Sequence, residues 1–158
     1  MTDDQWLAWA AGMFEGEGCV FIERKRPWFK NGRKVNYHVY AMRIDIANSD
    51  IAILDALKQR YGGSVQALVQ RDPRYRPCFH WRLGSVNAAV WLKAILPYIV
   101  GGKKRQVELA LEFAEKYSGD ANRIGYGGRA KSDKERQEDI YQTLRLLKHE
   151  PASSSLTA

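Results

Sequence analysis

The chain has 158 residues, of which 45% are hydrophobic, and this is enough for one domain with a core of ordinary size. No run of about 18 apolar residues is present and the first residues are acidic, so neither a membrane span nor a secretory signal is expected. Two distant cysteines and three histidines without metal-ligand spacing argue against a disulfide framework and a zinc site, and they predict an intracellular, reducing compartment.

The net charge of +7 is concentrated in the middle of the chain. Residues 18–105 hold 17 basic and five acidic side chains, whereas residues 1–17 hold four acids and no base. Such an uneven distribution predicts one positive surface, for which a polyanion is the natural partner. A basic interaction protein with no nucleic-acid role is the alternative that charge alone leaves open.

The first half of the chain predicts a helix, a hairpin and a second helix. Residues 3–17 form the first helix, with two aspartates in the turn where they complement the helix dipole. Apolar and polar residues then alternate over 19–27 and 35–47, which predicts two strands joined by a turn at 27–34. Residues 51–61 follow as a helix, because a polar cap precedes them and two glycines end them.

The second half has a similar layout but a different sequence. Strands are predicted at 64–71 and 77–84, and helices at 85–96, 103–117 and 132–149. The last two helices carry apolar stripes at helical spacing, which need a partner surface to cover them. The chain therefore predicts an α+β fold with an αββαββα core, an antiparallel sheet and added C-terminal helices.

Three segments with different roles are expected along the chain. Residues 1–117 would form the core domain. Residues 118–150 would add a Gly-rich loop and a helix that packs on the same domain. Residues 151–158 consist mainly of small and polar residues and are expected to be a disordered tail.

The end of the first helix departs from what a free helix prefers. Glu15 and Glu17 lie in its last turn, where each carboxylate opposes the helix dipole at a cost of about 0.3–1 kcal/mol. Ala8, Gly12 and Gly16 recur every four residues and predict a smooth stripe along which a second copy of the helix can pack. Two such helices side by side would bring their terminal carboxylates together, where hard divalent cations favour oxygen ligands.

The end of the first helix and the strand after it carry a specific resemblance to a known family. The segment at 10–18 reads AAGMFEGEG and is followed by the strand CVFIE, which together resemble the LAGLIDADG motif of homing endonucleases. Ala10 replaces the usual Leu, and Glu replaces Asp at both acidic positions. The resemblance covers about residues 5–117 and implies a curved antiparallel sheet that forms a DNA-binding saddle.

The resemblance also implies roles for individual residues. Glu17 matches the metal-binding catalytic carboxylate, and Gly16 would lend a backbone carbonyl to the same ion. Glu15 matches the first acid of the motif, which helps to close the helix–helix interface. Lys103 is the best match for the basic residue near the active site, with Lys104 as the alternative. A polar residue at the end of the second strand would be either Asn48 or Asp45.

A single motif in a chain of this length implies a homodimer that binds a palindromic or near-palindromic target. The residues expected at the dimer interface are Ala8, Ala11, Gly12, Glu15 and Gly16. Mg²⁺ is the expected cofactor, with Mn²⁺ as an alternative, and Ca²⁺ is expected to support binding without cleavage. No membrane and no small-molecule substrate are expected as partners.

The two hairpins are the predicted DNA surface, because residues 23–43 hold seven bases against one acid. Strands of an antiparallel sheet can lie in the major groove, where side chains of one face reach the base edges. Alternation along the strands predicts these DNA-facing residues: Lys25, Tyr37, Arg43, Gln66, Gln70, His80 and Arg82. Phosphate or turn contacts are predicted for Arg24, Arg26, Lys30, Arg33 and Lys34.

These observations predict a site-specific double-stranded DNA endonuclease that hydrolyses phosphodiesters with a divalent metal. The alternative on the same scaffold is a catalytically silent DNA- or RNA-binding relative, such as a maturase or a transcription factor. The two acids at the end of the first helix argue against that alternative, because a pure binder has little reason to keep clustered carboxylates beside phosphate.

Overall fold

The computed structural model describes residues 1–25, 29–30, 32–34, 39–69, 72, 74–117 and 131–149. Within these ranges the chain forms five α-helices and six strands. The helices are α1 (Asp3–Glu17), α2 (Ile51–Tyr61), α3 (Ser85–Ile95), α4 (Lys103–Tyr117) and α5 (Lys131–Leu147). The strands are β1 (Gly18–Lys25), β2 (Phe29–Lys30), β3 (Arg33–Lys34), β4 (Val39–Asn48), β5 (Ser64–Ala67) and β6 (Phe79–Gly84).

Four of the strands form one antiparallel sheet in the order β1-β4-β6-β5. Strands β2 and β3 pair separately as a two-residue ribbon within the first hairpin, where Gly32 has a φ of 73° that favours glycine. The predicted α+β architecture and the αββαββα order are therefore confirmed, with the small ribbon as an addition.

One face of the sheet carries the core. The alternating residues of β1, β4 and β6 on this face are almost fully buried: Val20, Ile22, Met42, Ile44, Ile46, Trp81 and Leu83. Helices α1 to α4 all contact the sheet, and Ala10, Phe14 and Phe113 contribute to the same buried cluster. The opposite face is polar, as a half-buried antiparallel sheet requires.

Capping side chains begin two of the helices, and a proline follows the end of a third. Thr2 caps α1 through a capping box with Gln5, and Asp50 caps α2 by accepting a hydrogen bond from the N–H of Ala52. Helix α3 ends one residue earlier than predicted, because the segment around Pro97 continues as a single 3-10 turn. No helix in the described part of the chain combines the length and the apolar character that crossing a bilayer needs.

The second hairpin is shorter than its sequence predicts. Strand β5 ends at Ala67 rather than at residue 71, and β6 begins at Phe79 rather than at 77. One more hydrogen bond, from the N–H of Leu68 to the carbonyl of Cys78, extends the pairing at 2.8 Å. The expectations for residues 35–38, for the loop at 118–130 and for the tail at 151–158 lie outside the described residues.

The C-terminal helix α5 lies against both α4 and the edge strand β1. Its apolar stripe is covered there, with Ile140 and Leu144 buried in the common core. Arg136 donates two hydrogen bonds to Glu112 of α4, at 2.6 and 3.1 Å. An apolar stripe and a flanking ion pair thus hold α5 against α4 and β1.

Candidate functional site

The small-residue stripe of α1, Ala8, Gly12 and Gly16, is exposed on the surface of the chain. A Cβ added at Gly12 or Gly16 would have no neighbour within 4 Å. The described part of the chain therefore gives no reason for glycine at these two positions. Small residues on an exposed helix face instead suit the close approach of a second helix.

Ala11 does not lie on this stripe. Its side chain is fully buried in the core together with those of Ala10 and Phe14. Because each residue advances the helix by about 100°, Ala11 lies about 100° from Gly12, the middle of the stripe, and so on the flank that turns into the core. The expectation that Ala11 contributes to a dimer interface is therefore not met.

Glu17 lies at the last position of α1, and its side chain is exposed. Its carboxylate makes no hydrogen bond or ion pair with the side chains and backbone that the structure describes. Gly16 precedes it, and its carbonyl is one of the last four of the helix, which lack helical donors. These are oxygen ligands of the type that Mg²⁺ and Ca²⁺ prefer.

One copy of the chain supplies few such ligands. Among the described residues, no three His, Cys, Asp or Glu side chains lie close enough together to hold a metal ion. A carboxylate and a carbonyl at an exposed helix end would fit a shared ion only if another group supplied further oxygens. A second copy of α1 packed along the small-residue stripe would supply a second set.

Lys103 lies at the start of α4 and reaches the end of α1. Its Nζ donates hydrogen bonds to the carbonyls of Phe14 at 2.9 Å and Gly18 at 2.6 Å. Burial lowers the pKa of the Lys103 ammonium, while attraction to Cys19, Glu15 and Glu17 acts in the opposite direction. The structure thus brings Lys103 together with the acidic helix end, where the resemblance implies a basic residue, and Lys104 is exposed.

Glu15 also has partners within its own chain. Its carboxylate accepts hydrogen bonds from the backbone N–H groups of Gly101 and Val100, just before α4 begins. Sequence reasoning did not find this contact, because nothing in the spacing of 86 residues between Glu15 and Gly101 indicates it. The contact binds the last turn of α1 to the loop that leads into α4.

The open face of the sheet, formed by residues such as Arg43, Asp45, His80 and Arg82, carries a polar network. Arg82 donates two hydrogen bonds to Asp45, at 2.8 and 3.1 Å, and lies 3.3 Å from Nδ1 of His80. Arg43 forms an ion pair with Glu23 at 3.0 Å. Several predicted DNA-facing residues thus share one surface, but their charges are partly compensated.

Two further predicted residues of this face, Gln66 and His80, differ in exposure. Gln66 is exposed on β5, opposite His80, which is only 7% exposed. A shallow cavity of about 240 Å³ lies beside them, lined by residues that include Arg43, Ser64 and Arg82. The face therefore offers both exposed polar groups and a concave site.

Arg24 lies on the other side of the sheet. It donates to Glu138 of α5 at 3.1 Å, and its guanidinium lies 5.1 Å from the centre of the Tyr141 ring. The hydroxyl of Tyr40 donates to the same carboxylate. Strand alternation places Arg24 with the helices rather than with the open face, so the expected phosphate contact is not supported by its position.

The other predicted contacts, apart from Gln70, fall in the first hairpin. Lys25 ends β1, Lys30 lies in β2, and Arg33 and Lys34 form β3. Arg26, Tyr37 and Gln70 lie outside the described residues. Of the two candidates for a polar residue near the site, Asp45 is paired with Arg82, and Asn48 accepts a hydrogen bond from the N–H of Asp50 at 2.9 Å.

Comparison with solved structures finds several homing endonucleases of the same fold. I-CvuI, in complex with its target in the presence of Ca, matches with a TM-score of 0.67 and 17% identity over 94% of this chain and 85% of that chain. The archaeal intron-encoded I-Vdi141I, complexed with DNA, matches with a TM-score of 0.70 and 16% identity over 95% and 88%. I-SmaMI, bound to uncleaved DNA with calcium ions, matches with a TM-score of 0.60 and 17% identity over 89% of this chain and 45% of that chain.

These matches establish the fold, which is that of the LAGLIDADG homing endonucleases, and they confirm the predicted resemblance at that level. Comparison with protein-family models and with curated proteins finds no match. The chain spans most of I-CvuI and I-Vdi141I but about half of the length of I-SmaMI.

Proposed function

We propose that this chain is a metal-dependent, site-specific double-stranded DNA endonuclease of the LAGLIDADG type that acts as a homodimer. The observation that carries the proposal is the end of α1. There the exposed carboxylate of Glu17 makes no hydrogen bond or ion pair with the described residues, and it lies next to the exposed small-residue stripe. The structural similarity to DNA-bound homing endonucleases supports the same reading.

The dimer would form by packing of α1 on its copy along Ala8, Gly12 and Gly16. A two-fold axis through this contact would bring both Glu17 side chains to one edge of the interface. The match to about half of the longer I-SmaMI supports this assembly, because two copies of this chain approach that protein's length.

In the assembled site, Glu17 and the carbonyl of Gly16 would hold Mg²⁺ or Mn²⁺ against a scissile phosphate. When bound, the ion would supply an activated water and would neutralise charge on the leaving oxygen. Each chain would cut one strand. Ca²⁺ would support binding without cleavage.

The open face of the sheet would contact the DNA. Its residues Gln66, Arg43 and Arg82 offer donors that can reach base edges in the major groove. Because Arg82 and Arg43 are already paired with Asp45 and Glu23, DNA would have to compete with these ion pairs or use the donors that remain free. The basic first hairpin would supply further phosphate contacts.

The test is cleavage of a library of palindromic duplexes, comparing the natural chain with Glu17→Gln. We expect the variant to bind duplex DNA normally but to lose more than about 100-fold in single-turnover cleavage, since even outer-shell partners of a metal contribute about 10- to 100-fold. Glu115→Gln on the exposed face of α4 makes the same change of charge and should cut normally.

Full cleavage by Glu17→Gln would remove Glu17 from the chemistry. Tight duplex binding by the natural chain with no cleavage in Mg²⁺ or Mn²⁺ would favour the non-cutting DNA- or RNA-binding alternative. Unchanged elution of the chain on addition of duplex DNA at low salt would leave only the basic interaction protein.

A further inference from the structure

The contacts between α1 and α4 are reciprocal. Glu15 of α1 accepts from two backbone N–H groups in front of α4, and Lys103 of α4 donates to two backbone carbonyls at the end of α1. Each charged side chain thus satisfies backbone groups of the other element. Val100 and Gly101 precede α4, so no helical hydrogen bond uses their N–H groups, whereas the carbonyl of Phe14 accepts from Lys103 in addition to the N–H of Gly18.

The charges explain why these residue types occur where they do. A carboxylate in the last turn of α1 and an ammonium at the start of α4 each oppose the dipole of their own helix. In the folded chain Glu15 lies at the positive end of α4, and Lys103 lies at the negative end of α1. Each charge is therefore unfavourable in its own helix and favourable for the neighbouring one.

The contacts of Lys103 also hold the backbone on both sides of Glu17. Lys103 holds the carbonyls of Phe14 and Gly18, which lie on either side of Glu17 in the chain. The N–H of Gly18 donates to the same carbonyl of Phe14. The backbone that carries the Glu17 carboxylate is thus fixed on both sides, while the carboxylate itself stays exposed.

We propose that Glu15 and Lys103 form a reciprocal clamp that sets the direction of the Glu17 carboxylate, and that both are positioning residues rather than groups that touch the phosphate. The contacts themselves do not depend on the proposed function, but the predicted effect on cleavage rests on it. It differs from the roles that the resemblance implies, in which Glu15 closes the dimer and Lys103 acts on the reacting groups.

Gly101 allows the clamp to be tested without altering either charge. A Cβ at Gly101 would lie 2.5 Å from Oε1 of Glu15, so Gly101→Ala must displace that carboxylate. A Cβ at Gly102 would meet nothing within 4 Å, and neither glycine has a positive φ, so Gly102→Ala is a matched control. Because the displaced atom is the end of a flexible side chain, both variants should fold.

The first measurement is single-turnover cleavage as a function of Mg²⁺ concentration. Gly101→Ala should raise the Mg²⁺ concentration for half-maximal cleavage by about 10- to 100-fold, as loss of an outer-shell contact does, with duplex binding in Ca²⁺ unchanged. Gly102→Ala should match the natural chain. Adding Gly101→Ala to Lys103→Met should make little further difference, because each variant breaks one half of the clamp and the remaining half alone no longer positions Glu17.

A different pattern would overturn the proposal. If Lys103→Met lost cleavage at saturating Mg²⁺ while Gly101→Ala behaved as the natural chain, Lys103 would act directly on the reacting groups. The second measurement is amide hydrogen exchange of Gly18 in the full chain without DNA. Exchange should be about tenfold faster in Gly101→Ala than in Gly102→Ala, the effect of losing one hydrogen bond to a charged group.

The exchange measurement separates the two proposals. If the natural chain cuts no duplex, the proposed endonuclease function is excluded, but faster exchange at Gly18 in Gly101→Ala would still establish the clamp. Equal exchange in Gly101→Ala and Gly102→Ala would exclude the clamp, whether or not the chain cuts DNA.

Discussion

Glu138 shows how a single residue can join distant parts of the chain. It accepts hydrogen bonds from Tyr40, Arg24 and Gln142, and so connects the far ends of β1 and β4 to α5. Desolvation acts to raise the pKa of Glu138, but these hydrogen bonds and the attraction of Arg24 outweigh it and hold the pKa below its ordinary value. The ionised form is therefore the one that stabilises the fold.

This predicts a pH dependence of stability. Because the pKa of Glu138 is lower in the folded chain, its contribution is complete above its unfolded pKa and is lost as pH falls through the folded value. Glu138→Gln should cost about 1 kcal/mol at pH 7 and flatten this dependence. Urea unfolding of both chains between pH 7 and pH 3 would check it; parallel curves would show that Glu138 does not contribute.

At the scale of elements, α1 serves two surfaces at once. Its inner face carries Ala10, Ala11 and Phe14 into the core, and its outer face carries the small-residue stripe. Gly18 then turns the chain into β1 so closely that an added Cβ would collide with the side chain and backbone of Phe14. For Gly12 and Gly16, the residues that the structure describes provide no comparable steric reason.

Gly12→Ala should therefore affect fold and assembly in opposite directions. An alanine in an exposed helix position should stabilise the folded chain by about 1 kcal/mol, because glycine is the poorer helix former. The same methyl group should weaken self-association by separating two α1 helices. Thermal unfolding at a concentration where the chain is monomeric and sedimentation equilibrium would measure the two effects. Unchanged self-association would mean that the stripe is not the dimer contact.

For the molecule as a whole, the distribution of charge predicts how DNA binding responds to salt. The middle segment is strongly basic, and phosphate contacts release counterions, so affinity should fall steeply as salt rises. With six to ten phosphate contacts, the loss would be about 10³- to 10⁵-fold between 50 and 200 mM salt. Fluorescence anisotropy of a labelled duplex in Ca²⁺ would measure the slope.

Arg24→Ala provides an internal comparison in the same titration. The guanidinium of Arg24 is engaged with Glu138 on the helix side of the sheet, so its loss should leave the slope unchanged. A shallower slope in Arg24→Ala would place this residue at the DNA after all. An affinity independent of salt would argue against a phosphate-dominated interface.

The sequence by itself determined the order of the elements, the alternation of buried and exposed residues in β1 and β4, and the acidic end of α1, but it placed Ala11 on the wrong side of α1. These features are local, because helical and strand periodicities and capping residues act over a few positions. It also indicated that Glu15 and the glycines of α1 break local rules, although it could not show what each departure serves.

Only the tertiary structure decided which side chains meet. It placed Lys103 on the carbonyls of α1 and Glu15 on the loop before α4, and it turned Arg24 away from the open face toward Glu138. These contacts join residues more than 80 positions apart, and they depend on how elements cross rather than on the composition of any one of them. Physical proximity across such distances follows from the packing of the whole core, which no local pattern encodes.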